Sequence, residues 1–243
     1  MRRLGAGVVD WLFPPVCAGC EAPLRGDYSG MLCSRCAESN QRIRLPYCSV
    51  CGRPFVSDVE RECGECIGNQ PHYHRMRAAF RYQESIRQAI IDLKFNHRMH
   101  RAPALGRLLL LCEDGGIDFE TYDLVAPVPL HDNRLRKRGF NQCTLMIREV
   151  AAHRNIHAAV DLLVRVRDTQ PQFSLTQAQR KTNVKNAFAV RKPGSAFGKT
   201  VLLIDDVTTT GSTIRECARE LRNDGATRVD VAVLARAMDD VVT

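Results

Sequence analysis

Residues 201–213 of the 243-residue chain read Val-Leu-Leu-Ile-Asp-Asp-Val-Thr-Thr-Thr-Gly-Ser-Thr. The first four residues are all apolar, which predicts a short strand buried on both faces, as in a parallel sheet. Asp205 and Asp206 stand where that strand ends, and a loop rich in hydroxyl groups then leads toward a helix. Because ligands of open parallel sheets bind at the carboxyl ends of the strands, we expect a binding site at this point.

The residue types of this loop indicate which ligand it suits. Small residues before a helix allow several backbone N–H groups to converge on one phosphate, and the helix N-terminus adds partial positive charge. A carboxylate beside a phosphate is repulsive unless it faces hydroxyls or a cation, so Asp205 and Asp206 are expected to hold sugar hydroxyls, Mg²⁺ or both. Phosphoribosyl pyrophosphate combines these groups. The alternative is a solvated acidic turn after a buried strand, but it explains fewer of the residues in 201–213.

The residues that follow predict a helix and a further strand. Thr213 and Glu216 have the spacing of a capping box, and Gly225 suits the end of a helix. Four residues at helical spacing form one apolar face, namely Ile214, Cys217, Ala218 and Leu221. Residues 229–234 supply the next apolar strand, which completes a strand-loop-helix-strand crossover unit.

A second strand-loop-helix unit lies earlier in the chain. Residues 123–130 form an apolar run that ends in a Pro-Val-Pro turn, and a cationic block at 134–138 precedes a predicted helix that starts near Gln142. A run of charge is usually a solvated helix face, but cations at the loop of such a unit also suit a pyrophosphate group. We expect sheet strands at 123–128, 160–166, 201–205 and 229–234, with 78–82 and 187–191 at edges or in a hood.

Cysteine is the second informative residue type. Of eleven cysteines, eight form four Cys-x-x-Cys pairs within the first 66 residues, with twelve and then eleven residues between successive pairs. This spacing is typical of zinc ribbons, in which four thiolates hold a tetrahedral ion. It leaves open whether one or two ions bind and whether the pairs combine in sequence order. The predicted ligands are Cys17, Cys20, Cys33, Cys36, Cys48, Cys51, Cys63 and Cys66.

Disulfide bonds are the competing interpretation of these cysteines. Residues 1–12 contain only a short, broken apolar run before two prolines, which does not predict a secretory signal. Thiols that are not exported stay reduced, so metal binding and a cytoplasmic location are favoured. Three cysteines stand alone on predicted helices and are expected to be small core residues, namely Cys112, Cys143 and Cys217.

Length and composition predict one domain of ordinary size and a small one. We assign residues 1–77 to an N-terminal segment with the double zinc ribbon and residues 78–243 to the α/β domain, with 78–112 as a possible hood. The ribbon part is polar and turn-rich, so each zinc ion would supply about 10 kcal/mol or more of its folding free energy. No apolar run approaches a membrane span, and we expect no membrane insertion. The net charge of +8 would fall to about +4 with both sites filled.

Taken in order, these motifs resemble the ComF competence-protein family. Cysteine knuckles come first, followed by the motifs at 127–130, 138–142 and 167–188 and by the signature at 205–213. The resemblance covers residues 12–235. It implies an α/β fold in which helices flank a parallel sheet, like the type I phosphoribosyltransferases, with a small N-terminal double zinc ribbon. It also implies a role in DNA uptake for natural transformation, or in the use of external DNA as a nutrient.

The resemblance assigns roles to individual residues. Asp205 and Asp206 would hold the ribose hydroxyls and act in any catalysis, and residues 208–213 would wrap the 5′-phosphate. Residues 128–130 would form the pyrophosphate loop, and a flexible loop at 167–185 would close over the site. The implied binding residues are Asp205, Asp206, Val207, Thr208, Thr209, Thr210, Gly211, Ser212, Thr213, Val128, Pro129, Leu130, Arg180 and Lys181.

Three hypotheses about function remain open on the sequence. The favoured one is a protein that binds phosphoribosyl pyrophosphate with Mg²⁺ and handles incoming single-stranded DNA, together with DNA-uptake or recombination proteins. The alternative is an active phosphoribosyltransferase that transfers phosphoribose to an unidentified base or amine. A regulator on a degenerate transferase fold is the third, and the intact Asp205-Asp206 signature argues against it.

Overall fold

The computed structural model describes residues 16–24, 31–55, 61–169 and 177–238. Its strands are β1 (Arg75–Arg81), β2 (Leu124–Pro127), β3 (Leu163–Arg165), β4 (Phe188–Val190), β5 (Thr200–Thr208) and β6 (Arg228–Arg236). Its α-helices are α1 (Ser34–Ser39), α2 (Gly64–Gly68), α3 (Glu84–Phe95), α4 (Ala102–Leu109), α5 (Asp132–Arg138), α6 (Gln142–His153), α7 (Gln177–Val184) and α8 (Ser212–Asn223). Short 3₁₀ turns lie at Met99–Arg101, Leu110–Gly115 and Phe119–Thr121.

Four strands form a parallel sheet in the spatial order β1-β6-β5-β2. The apolar residues 201–204 of β5 are fully buried, which confirms the predicted strand with two covered faces. On one side Ile204 lies opposite Pro127 of β2, and on the other Asp205 lies opposite Val233 of β6. Helices flank this sheet, so the predicted α/β class is confirmed.

The expectation that residues 160–166 belong to the parallel sheet is wrong. Only Leu163–Arg165 is extended, and this strand pairs with β4 in a separate antiparallel sheet. The segment 157–159 takes the place beside β2 instead, through a single parallel bridge between Val125 and Ala158. The chain then turns away from the sheet. Which partner a short apolar run finds depends on distant residues, so the hydrophobic pattern alone did not indicate this outcome.

Alternate side chains of β5 enter two different layers, because successive residues of a strand point to opposite faces. Leu202 and Ile204 pack in the cluster that contains the buried residues of α3, α4 and α6. Val201 and Leu203 pack with α8 and with the second group of cysteines. The carboxyl end of β5 therefore lies between a layer formed by α3, α4 and α6 and a layer formed by α8 and the second group of cysteines.

The start of α8 differs from the prediction. Ser212 is its first residue and Gly211 precedes it with a φ of 75°, so the capping box of Thr213 and Glu216 does not form. Glu216 instead accepts hydrogen bonds from the backbone N–H of Asn186 and from the guanidinium of Arg219. A left-handed glycine costs little backbone strain, so the helix can begin immediately after Gly211. The predicted apolar face of α8 is buried as expected.

The two cysteine groups lie at different depths in the fold. The second group, residues 48–66, shares a buried cluster with Val201 and Leu203 of β5. Its attachment to the sheet includes a hydrogen bond from the backbone N–H of Met76 in β1 to the carbonyl of Val50, at 2.7 Å. The first group, residues 17–36, forms a small cluster of its own with Leu24. The second ribbon therefore packs against the layer that contains Val201 and Leu203, whereas the first meets the helical layer through Ala18.

The segment predicted as a possible hood, residues 78–112, contains the end of β1 together with α3 and α4. The solitary cysteines Cys112, Cys143 and Cys217 are all buried, although Cys112 lies in the 3₁₀ turn Leu110–Gly115 and not in an α-helix. In the part of the chain that the structure describes, no helix combines the length and apolar character needed to cross a bilayer.

Candidate functional site

The two carboxylates at the end of β5 have different surroundings. The side chain of Asp205 is partly exposed to a cleft, and its Oδ1 accepts the backbone N–H of Asp206 at 2.9 Å. The side chain of Asp206 is buried. Its Oδ2 has no hydrogen-bond partner among the described residues. Asp205 is therefore the carboxylate that a ligand can reach, and Asp206 is a charge held inside the fold.

A lysine from α3 supplies the counter-charge of Asp206. Lys94 Nζ lies 2.7 Å from Asp206 Oδ1, and the Lys94 side chain is 19% exposed. Burial alone would lower the pKa of Lys94, but the charge of Asp206 and the hydrogen bond to it raise that pKa overall. The ammonium is thus a permanent positive charge beneath the cleft. A buried carboxylate requires such a partner, because an isolated buried charge is strongly unfavourable.

The carboxyl group of Asp205 has an unusually high pKa. Burial, and then the negative charge of Asp206, raise the pKa of Asp205 to about 7. Cys143 Sγ lies 3.7 Å from Asp205 Oδ1, and burial raises the pKa of Cys143, so this thiol stays protonated. One atom of each of these three residues lies within 4.8 Å of the others. Carboxylate oxygens suit Mg²⁺ and a neutral thiol does not, so the donor set fits Mg²⁺ through oxygen atoms.

The loop between β5 and α8 has the features of a phosphate site. Gly211 adopts the left-handed conformation, and the hydroxyl groups of Thr210 and Ser212 lie 2.8 Å apart beside it. The buried Thr208 Oγ1 has no hydrogen-bond partner among the described residues. The twelve-residue α8 begins at this loop, so the positive end of its dipole points toward it. The loop therefore combines hydroxyl groups with the positive end of a helix dipole.

These groups border a cleft of about 790 Å³, here called the acidic-pair cleft. The loop after β2 forms one wall, and Val128, Pro129 and Leu130 line it. Val128 is fixed beside β5, because its N–H donates to the carbonyl of Ile204 at 2.9 Å. Asn141 Nδ2 donates to the Val128 carbonyl at 3.1 Å. The predicted pyrophosphate loop and Thr213 of the predicted phosphate loop thus line the same cavity.

Cations form another wall of the cleft, where Arg134, Lys137, Arg138 and Arg165 line it. The three arginines donate hydrogen bonds to uncharged oxygens: Arg134 to the carbonyl of Thr169, Arg165 to the hydroxyl of Thr169, and Arg138 to the side-chain amide of Gln142. Burial, with a smaller contribution from Arg134, lowers the pKa of Arg165 to about 10. Clustered cations with uncharged partners favour an anionic ligand.

The structure brings most of the predicted binding residues to one place. Asp205, Asp206, Thr213 and residues 128–130 line the cleft, and residues 207–212 form the adjoining strand end and loop. The backbone of Arg180 and Lys181 lies in α7, but their side chains are outside the described residues. The sequence did not single out Lys94 or its neighbour Phe95 as site residues, although both line the cleft.

The contact of Lys94 with Asp206 joins residues far apart in the chain, which explains why the sequence analysis missed it. Phe95 carries the one local signal that was available. It is an apolar residue at the end of an amphipathic helix, directly after the apolar face that contains Ile90 and Leu93. It is 62% exposed, unlike those two residues. An exposed aromatic residue beside a lysine at a helix end is compatible with a binding role.

The eight paired cysteines form two tetra-cysteine sites in sequence order. The sulfur atoms of Cys17, Cys20, Cys33 and Cys36 lie within 4.8 Å of one another, and so do those of Cys48, Cys51, Cys63 and Cys66. In the first site the backbone N–H of Cys33 donates to Cys17 Sγ at 3.2 Å, and in the second that of Cys63 donates to Cys48 Sγ at 3.3 Å. Four converging sulfurs with N–H donors fit structural zinc.

Comparison with known proteins agrees with this two-part architecture. The family model of the double zinc ribbon domain matches residues 8–67, and that of the phosphoribosyl transferase domain matches residues 138–242. The DNA utilization protein YhgH of Salmonella typhimurium is 34% identical over 228 residues, which cover 93% of this chain and 98% of that protein. Competence protein F of Haemophilus influenzae is 32% identical over 91% of this chain and 96% of its own length. The chain belongs to the ComF competence-protein family.

Solved structures with similarity to this ComF protein include two enzymes. A hypoxanthine-guanine phosphoribosyltransferase of Bacillus anthracis matches 60% of this chain and 76% of its own, with 13% identity and a TM-score of 0.37. The allosteric regulatory enzyme of purine biosynthesis matches 54% of this chain and 25% of its own, with 24% identity and a TM-score of 0.36.

The ComF protein has a second concavity, of about 470 Å³, between its two ribbons. We call it the ribbon groove and define it by Arg42, Arg44, Leu45, Phe55 and Arg81. The segment that links the ribbons is tied to the edge of β1, because the N–H of Ile43 donates to the carbonyl of Ala79 at 3.0 Å. This hydrogen bond fixes the linking segment, which forms one side of the groove, against strand β1.

The ribbon groove is cationic, and one of its residues is the chain neighbour of a residue in the acidic-pair cleft. Arg42 is paired with Asp114 at 2.6 Å, whereas Arg44 and Arg81 have no carboxylate partner among the described residues. Arg81 ends β1, and the next residue, Tyr82, lines the acidic-pair cleft. One lining residue of each concavity therefore lies at the carboxyl end of β1.

Proposed function

We propose that this ComF protein binds phosphoribosyl pyrophosphate with Mg²⁺ in the acidic-pair cleft and handles incoming single-stranded DNA. The observation that supports the first part is that Asp205, Thr213 and a wall of arginines line one cavity, with the rest of the loop 208–213 directly after Asp205 and Asp206 in the chain. The ligand carries ribose hydroxyls, a 5′-phosphate and a pyrophosphate. The cleft offers a carboxylate, a helix start and cations, which match these groups one by one.

In this proposal Asp205 accepts hydrogen bonds from the ribose hydroxyls, because it is the exposed member of the pair. Residues 208–213 hold the 5′-phosphate through backbone N–H groups and hydroxyls. The loop 128–130 and the arginine wall hold the pyrophosphate, and the side chains of Arg180 and Lys181 are further candidates for it. Mg²⁺, when bound, neutralises phosphate charge and fixes the orientation of the phosphate oxygens.

Thermal unfolding with and without phosphoribosyl pyrophosphate and Mg²⁺ tests this site. A ligand that binds only the folded protein, present at about a hundred times its Kd, should add about 2.7 kcal/mol to the free energy of unfolding. We expect this stabilisation in the parent and its loss in the double variant Asp205→Asn/Asp206→Asn. Asp161→Asn is the matched control, because Asp161 is exposed and distant from β5. A parent with intact zinc sites and no stabilisation would contradict the proposal.

The ribbon groove supports the second part of the proposal. Single-stranded DNA presents regularly spaced phosphates and unstacked bases, which cationic grooves with aromatic side chains bind. Arg44 and Arg81 are free to contact phosphates, and Phe55 offers a ring. Relatives are named for DNA utilization and for competence. Reduced thiols at both tetra-cysteine sites favour action in the cytoplasm, where DNA-uptake or recombination proteins would be partners.

Fluorescence anisotropy with a labelled oligothymidylate tests the DNA role. We expect the parent to bind the single strand more tightly than a duplex, with an affinity that falls steeply as salt increases. The charge reversals Arg44→Glu/Arg81→Glu should weaken binding and reduce the salt slope. The control Arg87→Glu/Arg148→Glu makes the same charge change at two exposed helical residues outside the groove. Equal binding by the two double variants would exclude the groove, and absence of binding by the parent would exclude the DNA role.

Phe95 favours an active phosphoribosyltransferase as the alternative function. The guanidinium of Arg138 lies 5.5 Å from the centre of the exposed Phe95 ring, at the mouth of the cleft. A flat ring backed by a cation suits stacking of a planar acceptor base. Phosphoribosyl transfer passes through an oxocarbenium-like state, so positioned charges suffice to promote it. Pyrophosphate release should then require one member of a panel of bases and amines, and should fall in Phe95→Ala.

A further inference from the structure

Lys94 has a more specific relation to the acidic pair than the other cations of the cleft. It is the cation within hydrogen-bond distance of Asp206 in the described part of the chain, whereas Arg138 and Arg165 donate to uncharged groups. Among the described residues no cation lies within ion-pair distance of Asp205, which accepts from the Asp206 N–H and the Cys143 thiol. The pair therefore consists of one neutralised carboxylate and one open carboxylate.

The end of α3 that carries Lys94 is held rigidly. Asp92, two residues before Lys94, is buried and accepts hydrogen bonds from Gln88 at 2.9 Å and Asn96 at 2.8 Å. It also pairs with Arg101 at 3.0 Å, and Arg101 in turn donates to the carbonyls of the first cysteine knuckle. The ammonium of Lys94 is thus fixed over Asp206 by packing and does not depend on a ligand for its position.

This placement affects how a divalent cation could bind. Mg²⁺ requires a nearly octahedral set of oxygens at short distances. The ammonium already occupies Asp206 Oδ1, and a second cation bound to both carboxylates would lie within a few ångströms of it. Like charges at such a distance repel strongly in a partly buried site. Only Asp205 then remains to hold a metal, and a single carboxylate holds Mg²⁺ weakly without further ligands.

We propose that Lys94 is the resident cation of the acidic pair and excludes free Mg²⁺ from Asp206, so that the metal enters only as a complex with the phosphates of the ligand. The inference rests on the proposed function of the cleft. In this arrangement Lys94 is a positioning residue: it pairs with Asp206 and leaves Asp205 as the carboxylate that faces the ligand. The metal and the ligand then bind to the cleft together and not one after the other.

Mn²⁺ alone, without phosphoribosyl pyrophosphate, is the probe that tests the inference. Its free-ion paramagnetic resonance signal reports uptake directly, and its preference for oxygen ligands keeps it from the cysteine sites. We expect the zinc-loaded parent not to bind Mn²⁺ at the acidic pair. Lys94→Met removes the cation with little change in side-chain shape, and should bind Mn²⁺ at least about tenfold more tightly than the parent. Lys94→Met/Asp206→Asn should lose that gain.

The control is Lys137→Met, which removes another lysine of the same cleft and should behave like the parent. If Lys94→Met does not fold, Lys94→Gln replaces it, and Mn²⁺ uptake by the parent remains a test by itself. Uptake by the parent that Asp206→Asn abolishes would overturn the inference, and so would a folded Lys94 variant no tighter than the parent. Failure of phosphoribosyl pyrophosphate to bind would refute the proposed function and leave this metal test valid.

Discussion

Among single residues, the acidic pair shows how two identical side chains acquire different properties from their environment. Asp206 is buried against the Lys94 ammonium, 2.7 Å away, and so has a fixed counter-charge. Asp205 forms no ion pair within the part of the chain that the structure describes, and burial together with Asp206 raises its pKa to about 7. The sequence identifies both residues as candidates, but it does not distinguish the accessible carboxylate from the one that stabilises the site.

The raised pKa of Asp205 predicts a pH dependence of stability. Because the folded protein holds this proton up to a higher pH than the unfolded chain does, the free energy of unfolding falls as pH rises from the unfolded pKa through about 7. Asp205→Asn removes this titration. Calorimetry should therefore show the stability of the variant, relative to the parent, increasing between about pH 4 and about pH 7 and then levelling off. Parallel pH profiles of parent and variant would contradict the assignment, and Asp161→Asn should follow the parent.

Among secondary-structure elements, α3 links the first ribbon to the site. Asn40 Oδ1 accepts the N–H of Ile86 at 3.1 Å, and Asn40 Nδ2 donates to Ser85 Oγ at 2.8 Å, so the residue after the knuckle holds the start of the helix. At the other end, Glu21 of the ribbon pairs with Arg101 at 2.9 Å. The ribbon therefore contacts both ends of the helix that positions Lys94.

Asn40→Ala tests this connection. The substitution leaves the buried N–H of Ile86 without an acceptor, so we expect the free energy of unfolding to fall by about 1–3 kcal/mol. Urea unfolding measures the change, with Gln41→Ala, an exposed neighbour, as the control. We also expect a smaller stabilisation by phosphoribosyl pyrophosphate, because α3 carries Lys94. A loss in Asn40→Ala no larger than that in Gln41→Ala would show that the contact contributes little.

In the molecule as a unit, the two tetra-cysteine sites differ in their coupling to the sheet. The second site packs in the cluster that contains Val201 and Leu203, whereas the first packs with Leu24 in a cluster of its own. Loss of zinc from the second site would therefore remove support from the sheet directly. Loss from the first would act mainly through α3.

Single cysteine substitutions separate these two effects. We expect Cys63→Ser to lower the melting temperature of the main transition more than Cys33→Ser does, because Cys63 is buried against the α/β core. Scanning calorimetry on both variants, with zinc content measured for each, gives the comparison. Hydrogen exchange should show faster opening of β1 and β5 in Cys63→Ser. Equal effects of the two substitutions would mean that both ribbons are joined to the core to the same extent.

Sequence reasoning was most successful where a structure depends on neighbours along the chain. The buried strand at 201–204 and the apolar face of α8 follow from local periodicity, and the identity of the eight zinc-ligand cysteines follows from the spacing of four pairs. The parallel α/β fold follows from the same patterns, because alternating strands and helices leave few other ways to cover apolar faces.

Other features depend on contacts between distant residues, and only the folded chain establishes them. β3 leaves the parallel sheet to pair with β4, and the cysteine pairs combine in sequence order. Lys94 pairs with Asp206, and the ribbon groove and the acidic-pair cleft each take one lining residue from the end of β1. Local patterns set which residues are strand, helix or metal ligand. The partner of a buried charge is set by which distant elements pack together, because the energy of pairing depends on three-dimensional proximity and not on position in the chain.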